Sequence, residues 1–307
     1  RTMKTESSPQ ISNAELGERL RRGLLFDGAM GTMLGAIEGK DWDAPEELNI
    51  FEPERIEAIH RAYAEAGAEV ITTNTFGGNR IRLERAGYAD RVEEFNVAGA
   101  RLARAGADAG ENVLVAGDIG PIGEFMEPLG ERTREEFVAA FAEQAEALAL
   151  GGSDLLLVET MSDLGEAETA IEGARSTGLA VAVTMSFDTN GHTMMGVSPA
   201  EAAVRLTELG AVAVGANCGT GPDEIGPVVE EMRRAAPEAV ILVQSNAGMP
   251  QVDIDRIYYD CSPEDMAGHV EAWLKLGIQA VGSCCGSTPE HIRTLRVVMD
   301  RHRAGGS

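Results

Sequence analysis

The chain has 307 residues and is short of several things. Its four cysteines, Cys218, Cys261, Cys284 and Cys285, are too few for a disulfide scaffold at this length. Twenty-six Lys and Arg stand against 50 Asp and Glu, a formal charge of −24. Nucleic acid and anionic membranes, which need clustered cations, are therefore excluded as expected partners. No apolar run approaches the roughly 18–20 residues of a membrane span. The lysines are Lys4, Lys40 and Lys275, none at the end of an expected strand, which argues against an aldolase or lyase built on a Schiff base. "RTMKTESSPQ" lacks the apolar centre of a secretion signal. Residues 1–12 read as a disordered polar tail and 304–307 as a C-terminal one. The expected compartment is then a reducing cytoplasm, where cysteines bind metal or do chemistry more often than they pair.

What the chain does have is a regular alternation of short apolar runs and longer amphipathic stretches. Strands are expected at 23–27, 68–73, 112–118, 153–159, 179–186, 211–217, 239–245 and 278–284. Several are apolar at almost every position, as in a parallel sheet covered on both faces. Helices are expected between them, for example over 53–67, 133–152 and 262–277. Thr133, Ser262 and Thr288 stand at N-cap positions, with Pro263 and Pro289 in the first turns and Glu136 completing a capping box. Eight strand–helix units predict an α/β fold, a single (β/α)8 TIM barrel over residues 13–303; a doubly wound open sheet is the alternative.

In such a barrel the reactive groups lie at the C-terminal ends of the strands. Asp27 ends the first expected strand, Thr73 and Asn74 the second, Asp118 the third and Glu159 the fourth. Cys218 ends the sixth, Asn246 follows the seventh, and Cys284 and Cys285 end the eighth. Three thiols on one rim with a fourth position open suit a catalytic zinc site; small buried hydrophobes at a strand end are the other reading. Adjacent cysteines need a bend to converge, which Gly282 and Gly286 could supply. Asp27 and Glu159 could pair with a substrate ammonium, or cap and pair locally. "FDGAMGT" is too short for a dinucleotide fingerprint, but its backbone N–H groups, around Gly28 and Ala29, could hold a carboxylate. Cys261 reads as an ordinary thiol. His60, His192, His269, His291 and His302 read as non-ligands, and Trp273 as packing. Trp42 is placed to cover the site or to pack.

"FDGAMGT", "TTNTFGGNR", "GDIGPIGE", "VETMSD", "TMSFDTNG", "GANCGTGP" and "CCGSTPEHI" together resemble the homocysteine S-methyltransferase family, in order, from about Leu24 to about Leu295. That family includes betaine–homocysteine methyltransferases and the homocysteine-binding module of cobalamin-dependent methionine synthase. The resemblance implies Zn2+ on Cys218, Cys284 and Cys285, with Asp27 and Glu159 holding the homocysteine ammonium. Thr73, Gly28, Ala29 and Asn217 stand on the substrate side, and Trp42, Phe76 and Asn246 are donor-side candidates. It implies methyl transfer to homocysteine, giving methionine, from a small onium donor such as betaine or a methylsulfonium. A methyl-corrinoid on a separate protein is the alternative donor, and a non-catalytic zinc or thiol subunit the alternative of another class. The tyrosines of the animal betaine enzymes are replaced by Gly77 and Thr160, which weakens a betaine cage. Ser283 stands where the family usually has glycine; a positive φ there would cost about 1–2 kcal/mol. The oligomeric state is left open.

Overall fold

The computed structural model describes residues 11–38, 44–188, 190–253 and 256–305. In chain order the strands are β1 (Leu24–Leu25), β2 (Val70–Thr72), β3 (Leu114–Ile119), β4 (Leu155–Met161), β5 (Val181–Met185), β6 (Ala213–Asn217), β7 (Ile241–Ser245), the hairpin β8 (Gln251–Asp253) and β9 (Arg256–Tyr258), and β10 (Ala280–Ser283). All but the hairpin run parallel in one eight-stranded sheet, ordered β1-β10-β7-β6-β5-β4-β3-β2. A bridge from Phe26 to Val70, with Asp27 N–H donating to the Val70 carbonyl at 3.0 Å, brings the two edges together. The expected (β/α)8 barrel is the observed fold, and every expected strand has its counterpart.

Strand parity divides the core. Leu24, Phe26, Val70, Leu114, Ala116, Leu155, Leu157, Ala182, Ala213, Leu242 and Ala280 pack together inside the barrel. Their neighbours Leu25, Ile71, Val115, Leu156, Val183, Val214, Val243 and Val281 face the helices. The two sets alternate because successive strand residues point to opposite faces. Leu16 and Leu20, from the helix Asn13–Arg22, join the interior set and close one end. Ser12 caps that helix and Ile11 is buried, so the fold starts before the expected residue 13. At the other end the helix Pro289–Gly305 runs past the expected boundary at 303. Tail residues 1–10 and Trp42 lie outside the described residues.

The expected helices run over Pro53–Glu65, Arg134–Gly151 and Pro263–Lys275. Thr133 and Glu136 form the capping box, and Ser262 caps its helix. Thr288 stands just before the helix Pro289–Gly305, as expected, and its carbonyl accepts from Ile292 N–H; its own N–H and hydroxyl both meet His291 Nδ1, at 3.2 and 3.0 Å. Trp273 is packing, as expected.

His60 is fully buried, and neither ring nitrogen has a hydrogen-bond partner. Burial alone lowers its pKa to about 3. The unfolded chain therefore takes up a proton near pH 6.5 that the folded chain refuses, so stability falls as pH drops below 6.5. Wild type should lose stability relative to His60→Leu between pH 7 and 5, by at most about 1.4 kcal/mol per pH unit. Urea denaturation of both proteins at each pH checks this; a constant difference would contradict it.

Candidate functional site

The same parity that fills the barrel with Leu114 and Ala116, and with Leu155 and Leu157, turns Asp118 and Glu159 inward one step further along β3 and β4. Polar side chains thus begin where the apolar layers end.

The cysteines converge. Cys218, Cys284 and Cys285 place their sulfurs within 4.8 Å of one another, with Cys285 Sγ 3.8 Å from Cys218 Sγ and 3.9 Å from Cys284 Sγ. Zinc–sulfur bonds of about 2.3 Å at tetrahedral angles put sulfurs about 3.8 Å apart, so the spacing fits one metal ion. Local backbone makes this possible. Cys218 itself lies in the left-handed region, φ 56°, followed by Gly219 at φ 69°, and its N–H donates to the Gln244 carbonyl. The N–H of Cys284 goes to the Ser245 carbonyl and that of Cys285 to Asn246 Oδ1, pinning both cysteines to the end of β7. The bend after them is supplied by Gly286 alone, at φ 83°, where a Cβ would meet the Tyr259 ring at 2.2 Å. Gly282 stays in β10 and serves close packing against Phe26. Ser283 has no positive φ; its hydroxyl donates to the Ser245 carbonyl at 3.0 Å, so the departure from glycine carries no strain.

Thiol hydrogen bonds from Cys218 and Cys284 push the Cys285 pKa down to about 3, one thiolate held between two thiols, and Tyr259 adds a further hydrogen bond. Burial pushes the Cys261 thiol up to about 11. Its sulfur stands outside the cluster, in keeping with an ordinary thiol. None of the histidines joins the cluster either.

The carboxyls follow β1 and lie on β3 and β4; β1 pairs directly with β10, so Asp27 stands beside the strand that carries the cysteine pair. Both Asp27 oxygens accept from Thr72, one from its N–H and one from its hydroxyl, each at 2.8 Å. Burial nevertheless raises its pKa to about 7. Glu159 is raised to about 8, first by burial and then by the charges of Cys218 and Asp27. Asp118 is raised well above the usual range by burial, then by Glu159, Glu46 and Asp27. Among the described residues Arg82 is the cation that bears on Asp118, and none offsets the burial of Asp27 or Glu159.

Several residues expected to touch substrate are committed elsewhere. Asn217 is fully buried; its Oδ1 accepts from Thr160 N–H and the Thr184 hydroxyl, and its Nδ2 donates to Thr160 Oγ1 and Glu159 Oε2. An amide has two donor hydrogens and two acceptor lone pairs, so Asn217 is saturated and orients Glu159. Thr160, at φ 60°, marks the register shift in β4 that this knot stabilises. Thr73 accepts from Asp118 N–H at 2.9 Å, and its hydroxyl pairs with that of Thr75. Ala29 N–H already donates to Ser287 Oγ at 3.1 Å, and at Gly28 a Cβ would strike that same oxygen at 2.5 Å. On the donor side the Phe76 ring lies 5.1 Å from the Arg82 guanidinium carbon, so a cation already uses that aromatic. Asn246 belongs with the cysteines, through Cys285. Tyr259 lies outside every motif quoted above; Ser287 and Thr160 lie inside "CCGSTPEHI" and "VETMSD", but their roles depend on partners on distant segments.

Residues 24–299 match the family model described as homocysteine S-methyltransferase. The chain belongs to that family. It is 32% identical over 302 residues to the methionine synthase of Mycobacterium leprae, covering 93% of this chain and 25% of that protein. For the methionine synthase of Mycobacterium tuberculosis the identity is 33% over 296 residues, covering 90% and 24%. The chain thus spans about a quarter of the length of these relatives. Among solved structures, the metallated form of the Escherichia coli homocysteine methyltransferase MmuM superposes with TM-score 0.76 at 23% identity, covering 90% of this chain and 96% of that one. The oxidized form gives 0.75 at 24%, covering 91% and 99%. At that identity the likeness is one of fold.

Replacing the saturated amide by an apolar isostere, Asn217→Leu, should leave Thr160 N–H, Thr184 and Glu159 without partners and cost about 2–4 kcal/mol. Urea denaturation measures it, and a loss below about 1 kcal/mol, less than one typical hydrogen bond, would show that the knot carries no load.

Proposed function

We propose that this chain transfers a methyl group to the sulfur of homocysteine, giving methionine, with zinc held by Cys218, Cys284 and Cys285. The observation that carries the reading is the spacing of the three sulfurs, close to that of ligands on one tetrahedral ion. Zinc there would supply Lewis-acid chemistry, lowering the pKa of a fourth, substrate sulfur from about 8.5 so that it reacts as thiolate at neutral pH. The protein's own residues do the rest. Asp27 and Glu159 bind the substrate ammonium across the mouth, and Asn217 keeps Glu159 turned inward. The sulfur attacks the donor methyl carbon in line; an S–C bond forms while the bond from methyl to the donor breaks, its electron pair leaving with the donor. No group on the rim needs to take a proton in that step.

For the donor we infer a small onium compound, betaine or a methylsulfonium, because the mouth is acidic and transfer discharges such a cation. A second reading has its own support: kinship with methionine synthases, of which this chain spans about a quarter, favours a methyl-corrinoid carried by a separate protein or domain. The expected compartment, a reducing cytoplasm, would suit either.

Methionine formation from homocysteine by the zinc-loaded protein tests both, with betaine, dimethylsulfoniopropionate, S-methylmethionine and methylcobalamin offered in parallel. Turnover with a small onium donor, abolished in Cys285→Ala, is expected. Turnover with methylcobalamin alone would establish the second reading. Zinc binding without turnover on any donor would leave a non-catalytic subunit and overturn the proposal.

A further inference from the structure

Among the described rim carboxyls, Asp118 is the one with a firmly held backbone and an unpartnered buried carboxyl oxygen. It is 5% exposed, and Oδ1 is buried without a hydrogen-bond partner. By contrast, its peptide is gripped on both sides. Its N–H donates to Thr73 Oγ1 at 2.9 Å, and its carbonyl accepts from the Thr75 hydroxyl at 2.8 Å and from Gln144 Nε2 at 3.2 Å. Since Thr75 spends its proton on that carbonyl, the 2.6 Å contact between the two hydroxyls makes Thr73 the donor to Thr75. Thr73, expected near the substrate, therefore has no proton left for it and serves to position Asp118.

The carboxyl is aimed at the barrel interior. Leu114 and Ala116 lie in the interior core, and Asp118 is the next residue of the same parity on β3. The charged groups that bear on it are Glu159, Glu46, Asp27 and Arg82. Of these, Glu46 is engaged with Gly77 N–H. Arg82, the only cation, lies over Phe76 and donates to the Pro121 carbonyl at 3.2 Å. A buried acid among acids stays protonated and neutral until a cation arrives, and then gives up its proton to pair with that cation.

An ammonium carries three N–H donors. Asp27 and Glu159 offer acceptors from β1's end and from β4, but both Asp27 oxygens already accept from Thr72, and Glu159 Oε2 accepts from Asn217. The Oδ1 of Asp118, on β3 beside β4, has no hydrogen-bond partner among the described residues.

We propose that Asp118 is the third carboxyl of the amino-acid pocket, accepting one N–H of the substrate ammonium beside Asp27 and Glu159; the inference rests on the homocysteine reading above. It makes Asp118 a residue that selects for the α-amine rather than for the thiol.

The test is titration calorimetry of the zinc-loaded protein with L-homocysteine and with 4-mercaptobutyrate, which keeps the thiol and carboxylate but lacks the amine. Asp118→Asn and Asp118→Ser are compared with wild type, with zinc content and melting recorded for each. Both variants should bind homocysteine about ten- to hundredfold more weakly, while 4-mercaptobutyrate changes by less than about threefold, as expected when one charge-assisted hydrogen bond is lost. Retention of the wild-type preference for homocysteine, or equal weakening of both ligands, would overturn the proposal. Failure of the zinc-loaded wild type to bind homocysteine would instead overturn the homocysteine reading, and this inference with it.

Discussion

Three sulfurs packed at metal-ligand spacing are the constraint on which the rest of this rim depends. Thiols do not gather in this way for packing alone, because each of the segments that carry them is bent to do so. Cys218 accepts a left-handed backbone that costs a non-glycine residue about 1 kcal/mol or more, and Gly286 turns the chain away immediately after the cysteine pair. Hydrogen bonds from the ends of β6 and β10 to the end of β7 then lock those bends into the barrel. The barrel supplies the rigidity: strands buried on both faces leave the sulfur-bearing ends little freedom to drift apart.

The second organising feature is charge of the opposite kind of need. Three thiols at that spacing suit a metal cation, and the buried carboxyls on the strands around them suit an organic one. Burial holds Asp27 and Glu159 near pKa 7 and 8, where they are partly protonated at neutral pH. An arriving ammonium would shift them toward carboxylate, so binding and ionisation are coupled on that side. On the proposed reading the two groups together suit a molecule with a soft nucleophilic end and an ammonium end, as in a thiol amino acid.

The fold was legible because each strand announces itself as a short apolar run and each helix by its period and its cap. The eight barrel strands fell where the apolar runs lie, and Thr133 and Ser262 cap as their sequences suggest. The convergence of the cysteines followed from barrel topology alone. What could not be read were commitments made across strands. Asn217 looks like a substrate residue in "GANCGTGP" until its four hydrogen bonds to three residues of β4 and β5 are seen. Thr73 likewise looks free until Asp118 and Thr75 claim its hydroxyl. The β8–β9 hairpin and Tyr259, which packs over Gly286 and reaches Cys285, also escaped, since neither has a periodic or compositional mark.

The most direct test of the central claim is zinc-edge X-ray absorption of the zinc-loaded protein, recorded before and after addition of homocysteine. Three sulfurs and one lighter atom around the metal, changing to four sulfurs when the substrate is added, is the predicted result. A sulfur count that stays the same on addition would contradict the account, because the open position beside Cys218, Cys284 and Cys285 would then not be where the substrate thiol goes.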